Sequence, residues 1–225
     1  MTNIKDNLAT IEQQIFQACQ QSGRARETVN LLAVSKTKPS QLIKQAYAAG
    51  QREFGESYVQ EAIEKIEQLT DLTDVVWHFI GPIQSNKTRQ IAQHFSWVHS
   101  IDRAKIAKRL NEHCSNQDTP LNVCLQVNIS NENSKSGVNI VDLPALVQCI
   151  DECEHLCLRG LMAIPQKNAA LSSYQAMFEL FKDIQQNHPK MDVLSMGMSN
   201  DLQPAIAGGS TMVRVGSAIF GERTN

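Results

Sequence analysis

The 225-residue chain carries 21 lysines and arginines against 23 aspartates and glutamates, a formal charge of −2 at pH 7. That near-balance argues against a nucleic-acid binder, which needs a basic excess, and no apolar run approaches the roughly 20 residues that cross a bilayer. With 42% apolar and 20% charged residues the chain can bury a sizeable core, and its length suits one domain over residues 1–225.

The first segment places Ile4, Leu8, Ile11, Ile15 and Ala18 three or four apart, the face of a helix. A strand is expected over Val29 to Val34, then Ser40 as the cap of a helix running to about Ala49. A short run ending at Phe54-Gly55 precedes a helix carrying Val59, Ala62, Ile63, Ile66 and Leu69. Val75 to Ile80 reads as the third strand, followed by a helix with Ile91 and Phe95. Trp97 to Ile101 reads as the fourth, with Asp102 capping a helix that carries Ile106 and Leu110. The fifth strand is expected over Val123 to Ile129, with its helix from Leu143 to about Cys153. The sixth covers Leu158 to Ile164, before a helix bearing Tyr174, Met177, Phe178 and Phe181. Val193 to Met196 is the seventh, followed by a short helix near Asp201 to Ala207. Met212 to Val215 is the eighth, and Ala218 to Phe220 begins a closing helical turn.

Several of these strands are apolar at consecutive positions, as in strands covered on both faces. Eight of them alternating with helices predict an α/β fold, a (β/α)8 TIM barrel with one extra N-terminal helix. An open doubly wound sheet is the alternative, but no G-x-G-x-x-G follows the first strand. Met1 to Asp6 lack the basic-then-apolar pattern of a signal peptide, so a soluble cytoplasmic protein is expected. The six cysteines contain no C-x-x-C pair and fit reduced thiols of that compartment. Cys149, Cys153, His155 and Cys157 lie close together, but their spacing is not that of a zinc finger, so packing is the expected role and no metal site is predicted.

In such barrels the active face lies at the C-terminal ends of the strands. That face collects Lys36 after the first strand, Gly55-Glu56-Ser57 after the second, Ser199-Asn200 after the seventh and Arg214-Val215-Gly216-Ser217 at the eighth. Lys36 follows Leu31-Leu32-Ala33-Val34-Ser35, which puts its amine at the mouth of a largely apolar barrel. Desolvation there disfavours the ammonium form, and a neutral amine condenses with carbonyl compounds. Position alone does not distinguish Lys36 from an ordinary loop lysine, and Lys38 is close by. The loops after the seventh and eighth strands are the usual phosphate site of a barrel. Ser199, Gly208-Gly209-Ser210 and Gly216-Ser217 are expected there. Together with Lys36 they point to a phosphorylated carbonyl ligand.

Several blocks carry a closer likeness. They are Ala33-Val34-Ser35-Lys36-Thr37-Lys38-Pro39, Phe54-Gly55-Glu56-Ser57-Tyr58-Val59-Gln60-Glu61 and Trp77-His78-Phe79-Ile80-Gly81-Pro82-Ile83-Gln84-Ser85-Asn86-Lys87. Asn128-Ile129-Ser130, Ser134-Lys135-Ser136-Gly137 and Arg159-Gly160-Leu161-Met162-Ala163-Ile164-Pro165 continue the series. Ser195-Met196-Gly197-Met198-Ser199 and Val213-Arg214-Val215-Gly216-Ser217-Ala218-Ile219-Phe220-Gly221 complete it. In this order they resemble the pyridoxal phosphate homeostasis proteins, the YggS/PROSC type, across nearly the whole chain.

The resemblance implies a barrel like the N-terminal domain of alanine racemase, binding pyridoxal 5′-phosphate. By that match Lys36 holds the cofactor as a Schiff base, and Ser199, Gly216 and Ser217 bind its phosphate. Arg214 faces the pyridine nitrogen, where a fixed cation disfavours ring protonation and weakens the ring as an electron sink. His78 is expected to be a packed strand histidine as readily as a ring contact and stays outside the site set. The chain departs from the family at Ser57, usually Asn, and at Asn200, usually Asp.

The implied role is cofactor homeostasis: holding pyridoxal phosphate and delivering it to pyridoxal-dependent apo-enzymes, as a monomer and without clear turnover. The alternative is an amino-acid racemase, whose chemistry needs a second, opposed acid/base group. No catalytic residue is assigned. The tyrosines are Tyr47, Tyr58 and Tyr174, the first and last expected on outer helices, and the eighth strand lies close to the end of the chain. An aldolase acting on a sugar phosphate through a Schiff base is a more distant third reading.

Overall fold

Burial on two faces explains the strands. In β1 (Asn30–Val34) the consecutive Leu31, Leu32 and Ala33 are all buried, because one side faces the barrel axis and the other faces helices. β2 (Glu53–Glu56), β3 (Val76–Phe79), β4 (Trp97–Ile101), β5 (Leu121–Val127), β6 (Leu156–Ala163), β7 (Val193–Ser195) and β8 (Met212–Val215) follow in order. All neighbours pair in parallel and β8 pairs with β1, so the sheet closes as a barrel. The computed structural model describes residues 3–129, 136–166 and 168–222; Ser130, Ser134 and Lys135 of the family blocks lie outside them.

Helices cover the outside: α1 (Ile4–Gln21) before the first strand, then α2 (Ser40–Ala48), α3 (Val59–Gln68), α4 (Thr88–His94) and α5 (Ala104–His113). α6 (Leu143–Asp151), α7 (Leu171–Gln185), α8 (Leu202–Ala207) and the short α9 (Ser217–Phe220) complete the ring. The stripe Ile4, Leu8, Ile11, Ile15 and Ala18 of α1 is buried, and the helix packs against α2, α8 and α9. Asn7 Nδ2 donates to Ile219 O at 2.8 Å, and Arg24 Nη1 donates to Ile206 O and Ser210 O. These bonds tie the extra helix across the seam where the barrel closes. Leu32, Cys124, Met162, Val193 and Met212 pack as a separate cluster inside the barrel, apart from the larger core between strands and helices. Cys149 and Cys153 are buried in that larger core, and the Cys153 thiol donates to Cys149 O at 3.1 Å. No helix among the described residues is long and apolar enough to cross a membrane.

Two expected caps are corrected. Ser40 is the first helical residue after the N-cap Pro39, and its hydroxyl donates to Gln68 Oε1 at 2.7 Å instead. Arg103, not Asp102, precedes α5, and Asp102 accepts from the Arg103 guanidinium at 2.6 Å. β5 and β6 each begin two residues earlier than the apolar pattern indicates, because the pairing starts at Leu121 and Leu156 while half-exposed Asn122 and Cys157 interrupt the run.

The register between β5 and β6 shifts where Val123 faces Leu158 and Cys124 faces Gly160, leaving Arg159 as the extra residue of a bulge. A Cβ on Gly160 would stand 1.6 Å from Val193 O of the neighbouring strand. Gly160→Ala is therefore expected to destabilise the fold by about 3 kcal/mol, since backbone has to move. A lower urea midpoint at unchanged slope is the readout; an unchanged midpoint would contradict this contact.

Candidate cofactor site

A cavity of about 350 Å³ opens at the C-terminal ends of the strands. Five sequence-predicted residues, Lys36, Ser199, Arg214, Gly216 and Ser217, line it together, although they come from β1 and β7–β8, far apart in the chain. Ser57 and Asn200, where the chain departs from the family pattern, line it too. Its apolar walls come from Val34, Ile80, Met162 and Ile164. Lys38 reaches the rim and donates to Glu222 O at 2.5 Å.

Arg214 lies inside the barrel, 5% exposed. Its Nη1 donates to Ser195 O and Ser195 Oγ, both at 2.7 Å, and its Nη2 to Ala163 O at 3.0 Å. These partners on β6 and β7 fix the plane of the guanidinium. Burial pushes its pKa down to about 10, partly offset by the attraction of Asp201, so it remains a cation at neutral pH. Gly216 precedes α9 and Ser217 opens it; the N–H groups of Ile219 and Phe220 bond back to Gly216 O, and Gly216 and Ser217 line the cavity together with Ser199.

One expectation about this end of the barrel is corrected. Gly208, Gly209 and Ser210 do not join Ser199 at the mouth; they connect α8 to the start of β8. Gly209, with φ +98°, is held against Phe178, where a Cβ would come within 2.4 Å of the ring. Ser210 is buried and donates to Met196 O at 2.8 Å. Their small size serves packing.

A buried polar network behind Lys36 was missed as a site feature. Ser35 Oγ donates to Glu56 Oε1 at 2.7 Å, and Lys65 Nζ donates to Ser35 O and to Glu56 Oε1, both at 2.8 Å. Lys65 also donates to Glu61 Oε1 at 2.5 Å, and the same oxygen accepts the Thr37 N–H at 2.5 Å. Glu56 is fully buried and its Oε2 has no hydrogen-bond partner among the described residues. Burial pushes its carboxyl pKa up, against the opposing pull of Lys65 and the Ser35 hydroxyl. In sequence, Glu61 and Lys65 look like an exposed i,i+4 pair; only the packing of α3 behind β1 and β2 buries the lysine.

Deeper in the barrel, His78 Nδ1 meets His99 Nε2 at 2.9 Å, and His78 stacks on Trp97 at 5.4 Å. Both imidazoles are fully buried, so His78 is a packed strand residue and does not line the cavity. Burial holds the His78 pKa well below 6.5, helped by His99; burial and then Arg214 push His99 down to about 3. The unfolded chain therefore protonates first, and the contribution of the pair to stability falls as pH drops below about 6.5. Glu53, half-buried, and Glu56, fully buried, whose pKa values are raised by burial, act in the opposite sense. His99→Gln is expected to flatten the acid limb of a stability–pH curve by about 1.4 kcal/mol per pH unit. An equally steep limb would show that His99 is protonated in the folded state.

None of the three tyrosines lines the cavity. Tyr47 bonds to Asp74 on the outside, Tyr174 donates to Asp201 Oδ2 at 2.6 Å, and Tyr58 is 50% exposed at the start of α3.

Comparison with known proteins follows the same lines. The family model for the alanine racemase N-terminal domain matches residues 5–224. A protein of Pseudomonas aeruginosa named pyridoxal phosphate homeostasis protein is 53% identical, over 99% of this chain and 97% of its own. The chain belongs to the pyridoxal phosphate homeostasis proteins, within the alanine racemase N-terminal domain family. Another structure similar to it is PipY of Synechococcus elongatus with PLP bound, 36% identical with a TM-score of 0.84, covering 97% of this chain and all of that one. Alanine racemase of Corynebacterium glutamicum shares the fold at 17% identity and a TM-score of 0.69, with 99% of this chain matched to 61% of the racemase.

Proposed function

We propose that this protein binds pyridoxal 5′-phosphate in the cavity at the barrel mouth and serves in its homeostasis, holding the cofactor on Lys36 and passing it to pyridoxal-dependent apo-enzymes. The observation that carries this reading is the convergence of Lys36, Arg214, Ser199 and the Gly216-Ser217 turn on one cavity. A primary amine, a buried cation, hydroxyls beside a helix start and apolar walls are together the complement of a flat aromatic aldehyde bearing a phosphate. That PipY, of the same fold and 36% identical, is solved with PLP bound supports the ligand class.

Each group has a definable task. Lys36 supplies the amine that joins the cofactor. Ser199, Ser217 and the backbone N–H groups at the start of α9 receive the phosphate dianion, which needs donors at short range. Val34, Ile80 and Met162 offer apolar surface to the ring and exclude water from its faces. Arg214, locked by Ser195 and Ala163, keeps a positive charge at the barrel floor and opposes a proton on a pyridine nitrogen facing it. When bound, the cofactor supplies an aldehyde carbon and an electron-withdrawing ring, and Arg214 tempers the latter. A carrier is served by this arrangement, because a weakened electron sink suppresses side reactions of bound amino acids.

On this reading the chain works as one barrel domain over residues 1–225, in the cytoplasm and as a monomer. The closed sheet supports the last point, since it leaves no strand edge seeking a partner. The racemase reading requires a second acid/base group facing Lys36, and the cavity lining offers no tyrosine for that task.

Addition of pyridoxal phosphate to the stripped protein is expected to give a stable visible absorption band at one equivalent. With the common amino acids the loaded protein is expected to leave their stereochemistry unchanged. Racemisation at ordinary enzyme rates, roughly 1–10³ per second, would replace the carrier reading with the enzymatic one.

A further inference from the structure

Lys36 sits between two residues gripped by the same buried network. On its N-terminal side Ser35 is held three ways: its N–H donates to Gly55 O, its hydroxyl to Glu56 Oε1, and its carbonyl accepts Lys65 Nζ. On its C-terminal side Thr37 adopts φ +62°, a left-handed conformation that a β-branched residue strongly disfavours. Its N–H is captured by Glu61 Oε1, and that carboxylate is anchored in turn by Lys65. Lys65 spends all three of its N–H donors on Ser35, Glu56 and Glu61. The ammonium thus links the two grips into one clamp.

We propose that Glu61, Lys65 and Glu56 are positioning residues for Lys36: they hold the turn that carries it so that its amine points at the aldehyde carbon of the bound cofactor. None of the three lines the cavity, so their effect passes through the backbone. The proposal rests on the assignment of Lys36 as the linking residue. In the linking step the amine nitrogen bonds to the aldehyde carbon, and the aldehyde oxygen leaves as water with both amine protons. A carbon–nitrogen double bond remains. That step is sensitive to the aim of the amine, since small misplacements of a reacting group lower rates by one to two orders of magnitude.

Glu61 is the member to vary, because its side chain is 30% exposed and Lys65 keeps Glu56 as a partner without it. The measurement is the rate at which one equivalent of pyridoxal phosphate becomes fixed to Lys36, followed by absorbance and by borohydride quenching with mass mapping. Glu61→Ala and Glu61→Asp are expected to slow this rate about tenfold or more, the second because its carboxylate is too short to reach Thr37. Glu61→Gln keeps the reach and an acceptor oxygen, and should stay within about threefold of wild type. In the cofactor-free protein, amide exchange over Ser35–Lys38 should quicken in the Ala and Asp variants alone. Wild-type rates in Glu61→Ala would overturn the proposal. So would a slow Gln variant beside a normal Asp variant, which would assign Glu61 a charge effect instead of a positioning one. Mapping of wild-type protein to a residue other than Lys36 would instead remove the Lys36 assignment itself, a distinguishable failure. The Asp and Gln variants keep the comparison decisive if the Ala variant does not fold.

Discussion

Lys36→Ala is expected to leave a folded barrel that no longer carries pyridoxal phosphate on residue 36 through borohydride reduction. The half-buried lysine lies at the end of β1 and contributes no apolar area to either core cluster. The fold should therefore tolerate the change within about 1 kcal/mol. Binding should weaken on the order of a hundredfold, about 2.7 kcal/mol, because the covalent contribution disappears while the phosphate contacts at Ser199 and Gly216-Ser217 persist. Equilibrium dialysis against the cofactor measures this directly. Wild-type affinity in the variant would show that the phosphate end alone sets binding and that Lys36 is incidental.

Lys65→Met should produce the largest loss of stability. The ammonium is 7% exposed and stands 2.8 Å from a carboxylate that is fully buried. Its removal leaves Glu56 without its cation, with Oε2 already lacking a hydrogen-bond partner among the described residues. Breaking one side of a buried pair costs about 3–5 kcal/mol, which for a chain of this size lowers Tm by roughly 10 °C. The sign of the pH dependence follows from Glu56. Without Lys65 its folded pKa rises further above the unfolded value, so folding takes up a proton and the penalty shrinks as pH falls toward 5. Glu56→Gln in the same background should recover most of the loss, since an amide tolerates burial where a lone carboxylate does not. A loss below about 1 kcal/mol at pH 8, or no recovery in the double variant, would mean that Glu56 is already protonated or that the network is slack.

Those two residues also mark what could and could not be read along the chain. The apolar run Leu31-Leu32-Ala33 announces a barrel strand and puts Lys36 near its C-terminal end, but Lys36 stood out from an ordinary loop lysine only in combination with the small-residue loops after β7 and β8 and the family blocks. Gly216 and Ser217 were legible from their place just after β8, whereas the role expected of Arg214, inside that strand, came from the family resemblance. Lys65 was not legible, since its burial arises from where α3 docks and not from its neighbours in sequence. The same limit hid His99, whose partner His78 lies 21 residues away and one strand over. Gly208 and Gly209 misled, because small residues serve a tight turn, an anion or a close helix contact alike; only the end of the barrel they occupy decides. The caps at Ser40 and Asp102 failed for a simpler reason. Each side chain found a better partner, Gln68 and Arg103 respectively, than the helix N–H groups it was expected to meet.

The central claim is that the amine at the end of β1 is the one that holds the cofactor. It is tested by loading the wild-type protein with one equivalent of pyridoxal phosphate, reducing with borohydride and locating the label by peptide mass mapping. The expected result is a single phosphopyridoxyl group on Lys36, with Lys38 and the other lysines unlabelled. A label spread over several lysines, or placed on Lys38 with Lys36 untouched, would contradict the account.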